Sequence, residues 1–122
     1  MTTALVWTGV ALLGGLGAVC RFMLDRAVSR RHSLGFPLGT LVVNLSGALL
    51  LGFFGGLVLD PHAALLAGTG FVGSYTTFST WMLETQRLSE ERQVWPAVAN
   101  IAVSVILGVA AAAAGQAIAG LL

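Results

Sequence analysis

Apolar residues fall into four blocks, at about residues 5–24, 38–59, 63–83 and 94–122, with the polar and charged residues gathered between them. A hydrocarbon core about 30 Å thick takes roughly 20 residues of α-helix to cross. The pattern predicts an all-α membrane protein of four transmembrane helices, forming one domain over residues 1–122. Three connections follow: 25–37, rich in Arg, Ser and His; a tight turn at Asp60, Pro61 and His62; and 84–93, charged and of mixed sign. Pro37 and Pro96 stand at expected helix starts, where a missing amide hydrogen costs nothing.

The third block differs from the others. Gly70, Gly73, Ser74, Thr76, Thr77, Ser79 and Thr80 are weak helix formers or compete for the backbone. An unpaired amide or carbonyl in hydrocarbon costs several kcal/mol, so irregular backbone persists at that depth only where protein or a water-filled cavity covers it. A broken third helix is therefore expected, with freed carbonyls suited to a hard cation. The plainer alternative is an unbroken helix whose small residues serve only helix packing.

Composition narrows the class. The chain is 57% hydrophobic and 9% charged, with a mean hydropathy of +0.90, far more apolar than a soluble domain requires. Six Arg, no Lys and five acids leave a net charge of +1, which provides no basic field for nucleic acid. The lone Cys20 excludes an internal disulfide framework and a multi-thiolate zinc site. Residues 1–7 lack a positive leader region and the apolar run continues past Gly14, so the first block is expected to be a mature span. All six arginines (Arg21, Arg26, Arg30, Arg31, Arg87 and Arg92) lie in or beside the first and third connections. By the positive-inside rule both termini face outward.

The polar residues inside the spans are few and neutral. In the first span, Gly14, Gly17, Ala18 and Arg21 share a helical face, where small residues admit a close neighbour and the arginine either snorkels or lines a vestibule. In the second, Thr40, Asn44 and Gly47 form a narrow polar stripe. In the third, Phe78 pairs with Trp81 and Thr77 with Thr80. The fourth offers Asn100 and Ser104 at i, i+4, which would form a polar track if they faced Asn44. Each group has a packing role as its alternative. Asp, Glu, Lys and His are absent from span interiors, and no nucleophile–base pair, metal cluster or phosphate loop exists, so an enzyme or a proton-coupled transporter is not expected. Neutral donors beside the positive edges of aromatic rings suit passive passage of a small anion.

Three segments together resemble the Fluc/CrcB family of small fluoride channels: Gly14-Gly-Leu-Gly-Ala-Val-Cys-Arg21, Gly39-Thr-Leu-Val-Val-Asn44 with Gly47, and Gly70-Phe-Val-Gly73 through Thr76-Thr-Phe-Ser-Thr80. The resemblance implies a passive fluoride channel of the cell membrane, built as an antiparallel (inverted) dimer of four-helix subunits with pores along the subunit interface. It also implies a structural, non-transported Na+ held by backbone carbonyls, here those of Gly73 and Thr76. The anion pore carried over comprises Asn44, Phe78, Arg21 and, on the fourth span, Ser104, and Thr77 joins it as a neutral donor read from the residues themselves. Trp81 stands where the family usually has a second phenylalanine. The one-sided arginines are a second departure, and they point to pairing with an oppositely oriented relative as an alternative to a homodimer. The rival readings are a small dual-topology multidrug transporter, which needs a glutamate that the first span lacks, and a non-conducting assembly subunit.

Overall fold

In the computed structural model, which describes residues 2–32 and 35–122, helix α1 (Thr2–Arg31) runs far beyond the apolar block that begins it. At 1.5 Å per residue its 30 residues extend about 45 Å, more than a hydrocarbon core requires. The 25–37 segment, expected as a loop, is thus mostly helix; its residues 33 and 34 lie outside the described residues. Arginine is a good helix former, and Arg30 and Arg31 in the last turn interact favourably with the helix dipole. α2 (Leu38–Gly56) begins after Pro37 and stops at Gly56, earlier than the apolar run suggested.

The third span is discontinuous. Asp60 caps α3 (Pro61–Ala64), its carboxylate accepting from the His62 amide at 3.2 Å. The rod continues as a π-helical stretch, Leu65–Val72, and closes with α4 (Gly73–Tyr75). Thr76 is then extended at φ −82°, ψ 163°, and the chain re-enters helix as α5 (Ser79–Glu90). The 84–93 connection is therefore also largely helical. A 26-residue α6 (Val94–Ala119) completes the fold. Among the described residues three helices, α1, α2 and α6, are long and apolar enough to cross a membrane. The third expected span is divided by its break, and neither half reaches spanning length alone.

Glycines set the approach of the helices. α2 packs along α6, where a Cβ on Gly52 would fall on the Ala112 carbonyl oxygen and one on Gly115 on that of Leu49. α1 packs on the π-helical stretch and α4; a Cβ at Gly17 would lie 2.5 Å from Phe71 O and one at Gly14 3.0 Å from Ser74 Oγ. Small-residue contact of this kind draws helices together where lipid supplies no hydrophobic drive. Leu12, Phe22, Ile106 and Val109 are more than 60% exposed, as side chains facing lipid should be. The Arg-rich connections meet at one end, where Ser29 and His32 share a cavity with Glu84, Arg87 and Glu91.

Candidate functional site

The site is built around the break. Thr77 cannot continue either half-helix, and Asn44 on α2 satisfies both of its backbone groups: Nδ2 donates to Thr77 O at 2.9 Å and Oδ1 accepts from Thr77 N at 2.8 Å. One amide side chain replaces the two partners that a helix would have supplied. The Thr77 hydroxyl accepts from the Thr80 amide at 3.2 Å, which gives one of the first amides of α5 a partner. The Thr76 hydroxyl bonds back to Val72 O at 3.0 Å, and the Thr76 carbonyl accepts from Arg21 Nη1 at 3.3 Å. Gly47 is required here because a Cβ would fall on Thr76 Cγ2. The stripe of Thr40, Asn44 and Gly47 thus faces the broken helix.

Two cavities flank this clamp, and Thr77 lines both. One, of about 210 Å³, is a vestibule of mixed character, with Arg21, Asp25, Thr40, Thr77 and Thr80 on its polar side and Phe22 and Val43 on its apolar side. The other, of about 260 Å³, is bounded by Asn44, Leu51, Thr76, Phe78 and Trp81. Phe78 and Trp81 meet edge to face, with centroids 5.7 Å apart and planes at 83°. Phe78 is 70% exposed on this single subunit, which is unusual for a phenylalanine bordering a polar clamp.

Asn100 does not join Asn44. It is 1% exposed and belongs to a separate knot: Trp81 Nε1 donates to Asn100 O at 3.1 Å, while Asn100 Nδ2 donates to Thr85 Oγ1 at 2.8 Å. The condition for a track from Asn44 through Asn100 and Ser104, that they face one another, is not met at Asn100, because the indole and Thr85 claim it. Ser104 lines neither cavity. The structure therefore unites Arg21, Asn44, Thr77, Phe78 and Trp81 and leaves Ser104 apart.

The cation ligands were expected at Gly73 and Thr76. The amide that would pair with the Gly73 carbonyl in a continued helix is that of Thr77, and it is turned to Asn44. Gly73 is exposed on the subunit surface. No group of three or more His, Cys, Asp or Glu side chains capable of holding a metal occurs among the described residues, so a cation here would depend on carbonyl oxygens.

The family described as CrcB-like protein, Camphor Resistance (CrcB) matches residues 8–116, a range containing the whole clamp and both cavities. The chain belongs to the CrcB family. It is 71% identical over 121 residues, 99% of each chain, to a protein of Mycolicibacterium paratuberculosis named fluoride-specific ion channel FluC 2. A protein of Mycobacterium tuberculosis with the same name is 65% identical, covering 93% of this chain and 90% of that one. A FluC 1 of Leifsonia xyli is 41% identical, covering 98% and 90%.

Two residues of this CrcB chain were not singled out by sequence reasoning as site residues. Thr40 Oγ1 and Glu84 Oε1 are both buried without a hydrogen-bond partner; Thr40 lines the vestibule, and Glu84 lines the cavity formed by the Arg-rich connections. Thr77, Thr80 and Glu84 lie at i, i+3 and i+7, a spacing that sequence reasoning could have used to find Glu84. Burial pushes the Glu84 carboxyl above its usual range, and Asp25 pushes in the same direction. The Thr40 hydroxyl and Arg87 pull it down, although Thr40 makes no hydrogen bond of good geometry to it. Glu84 lies just beyond the third apolar block. With its folded pKa raised, the stability linked to protonating Glu84 is fully present below 4.5, its ordinary value, and is lost as pH rises through the folded pKa. Glu84→Gln should therefore raise the melting temperature in detergent at pH 7 to 8. The gain should vanish near pH 4; an equal gain at both pH values would contradict the assignment.

Proposed function

We propose that this CrcB chain is a fluoride-specific ion channel that passes F⁻ passively across the cell membrane and lowers cytoplasmic fluoride. The observation that carries the reading is the near-full-length match to a protein named as that channel, in a chain whose Asn44 clamp and aromatic pair border one cavity. The named relatives are ion channels, and the chain is not an enzyme.

The chemistry follows from dehydration. Moving even a carboxylate-sized ion into a low dielectric costs on the order of 20 kcal/mol by the idealised Born estimate, and a smaller anion costs more. Neutral donors must therefore replace water along the path without holding the ion tightly. Asn44 has two amide hydrogens, and Thr77 O takes one. The second is available to an anion in the cavity beside Phe78 and Trp81, whose ring edges carry partial positive charge. Arg21 at the vestibule draws anions inward, and its bond to Thr76 O fixes the guanidinium beside the peptide that Asn44 clamps. Ser104, remote from both cavities of this subunit, would act only on a path completed by a second subunit.

Pairing of subunits accounts for the exposed Phe78 and Gly73. An antiparallel partner would cover both, as a homodimer or as a heterodimer with a paralogue of opposite orientation; the one-sided arginines favour the latter. The carbonyls of Gly73 and Thr76 supply the oxygen donors a structural Na+ needs, because the first lacks its helical partner and the second keeps a lone pair, although the Arg21 guanidinium on Thr76 O opposes a second cation there. When bound, Na+ would supply fixed positive charge at the dimer centre.

Phe78→Ala tests the reading. Fluoride efflux should fall about tenfold or more, the loss of one favourable contact of about 1.4 kcal/mol on the path, while the dimer persists on size exclusion. Loss of the dimer with unchanged flux per assembled channel would instead support a packing subunit.

A further inference from the structure

Trp81 brings into the cavity a group that phenylalanine does not have, an indole N–H. Added to the Asn44 amide hydrogen that already faces the cavity, a second full donor aimed at the same small dehydrated anion would bind it far more strongly than a ring edge does, and a site that binds too strongly does not conduct. The structure directs it elsewhere. Nε1 donates to Asn100 O at 3.1 Å, a carbonyl inside α6 whose second lone pair is free beside its helical bond. The register that brings this carbonyl to the indole is maintained by side chains. Asn100 Nδ2 donates to Thr85 Oγ1 at 2.8 Å and to Trp81 O at 3.5 Å. The Thr85 hydroxyl donates to Trp81 O at 2.9 Å. Asn100 is 1% exposed, and such a buried, closed network fixes a single geometry.

We propose that Asn100, supported by Thr85, is a positioning residue for anion passage: it ties the Trp81 indole N–H to α6, so that Trp81 presents C–H edges to the anion. This rests on the reading that Trp81 borders the path. Neither Asn100 nor Thr85 touches the ion; both act through the ring. The arrangement is matched to tryptophan, since a phenylalanine at position 81 would have no donor to restrain.

The test is a cycle of Thr85→Val and Asn100→Ala, each made in the wild-type chain and in Trp81→Phe, with fluoride efflux from liposomes measured against fluoride concentration. In the wild-type background each variant should lower both the maximal rate and the half-saturating fluoride concentration by about fivefold or more, because a released N–H traps the ion. In Trp81→Phe, which should itself conduct, both variants should change these values less than about twofold. Equal losses in the two backgrounds, or a lower maximal rate with unchanged half-saturation, would overturn the proposal and leave a purely structural knot. Thr85→Val is nearly isosteric and keeps the test interpretable if Asn100→Ala fails to fold. If Trp81→Ala leaves flux and half-saturation unchanged, the underlying path reading fails instead.

Discussion

Replacing Asn44 with leucine is expected to reduce fluoride efflux about 100-fold or more, the largest loss from any single substitution near the break. Two part-buried backbone groups of Thr77 depend on this side chain, and orphaning each costs about 1–3 kcal/mol. At about 1.4 kcal/mol per tenfold, about 3 kcal/mol, well within the summed range of about 2–6 kcal/mol, accounts for two decades if the cost falls on the conducting conformation. Asn44→Asp is the informative companion. It keeps the acceptor for the Thr77 amide, loses the donor to the Thr77 carbonyl and places a like charge beside the anion, so it should also silence flux. Efflux assays paired with size exclusion decide the role: full flux from an intact dimer carrying Asn44→Leu would show that Asn44 only packs.

Gly115→Val is expected to prevent the subunit from folding. Its Cβ would fall on Leu49 O and lie 2.8 Å from Phe53 N, both backbone atoms of α2 that cannot swing aside. Overpacking usually costs about 1–3 kcal/mol, and a clash with backbone exceeds that range because the helices must separate. Gly55→Val and Gly108→Val provide the contrast, since a Cβ at either meets nothing within 4 Å inside the subunit. These two should leave the monomer fold intact, and any effect should appear in subunit association. Detergent-extracted yield and thermal unfolding separate the outcomes. A well-folded Gly115→Val protein would refute the α2–α6 seam.

Much of this was legible in the residues, for identifiable reasons. Four apolar blocks could be read because lipid imposes length, and the break because Thr76 and Thr77 follow closely on Gly70 and Gly73. That Asn44 needs a partner followed from burial; that the partner is the Thr77 backbone did not, because a sequence does not say which element faces α2. The helical extensions through Arg31 and Glu90 were hidden by polarity. A charged segment resembles a loop until its helix propensity and its departure from the membrane are considered together. Asn100 misled for a related reason. The i, i+4 spacing with Ser104 correctly places both on α6, yet the indole of Trp81, nineteen residues earlier, captured the asparagine. The π-helical stretch Leu65–Val72 left no signal beyond its glycines, and wide turns of this kind commonly occur at functional sites.

The most direct test is efflux from liposomes containing the purified chain, with sodium present and chloride as the comparison anion. The account predicts rapid release of fluoride with chloride retained, from this chain alone if it pairs with itself, or on co-expression with an oppositely oriented paralogue if it does not. Equal release of fluoride and chloride, or no release in either arrangement, would contradict it.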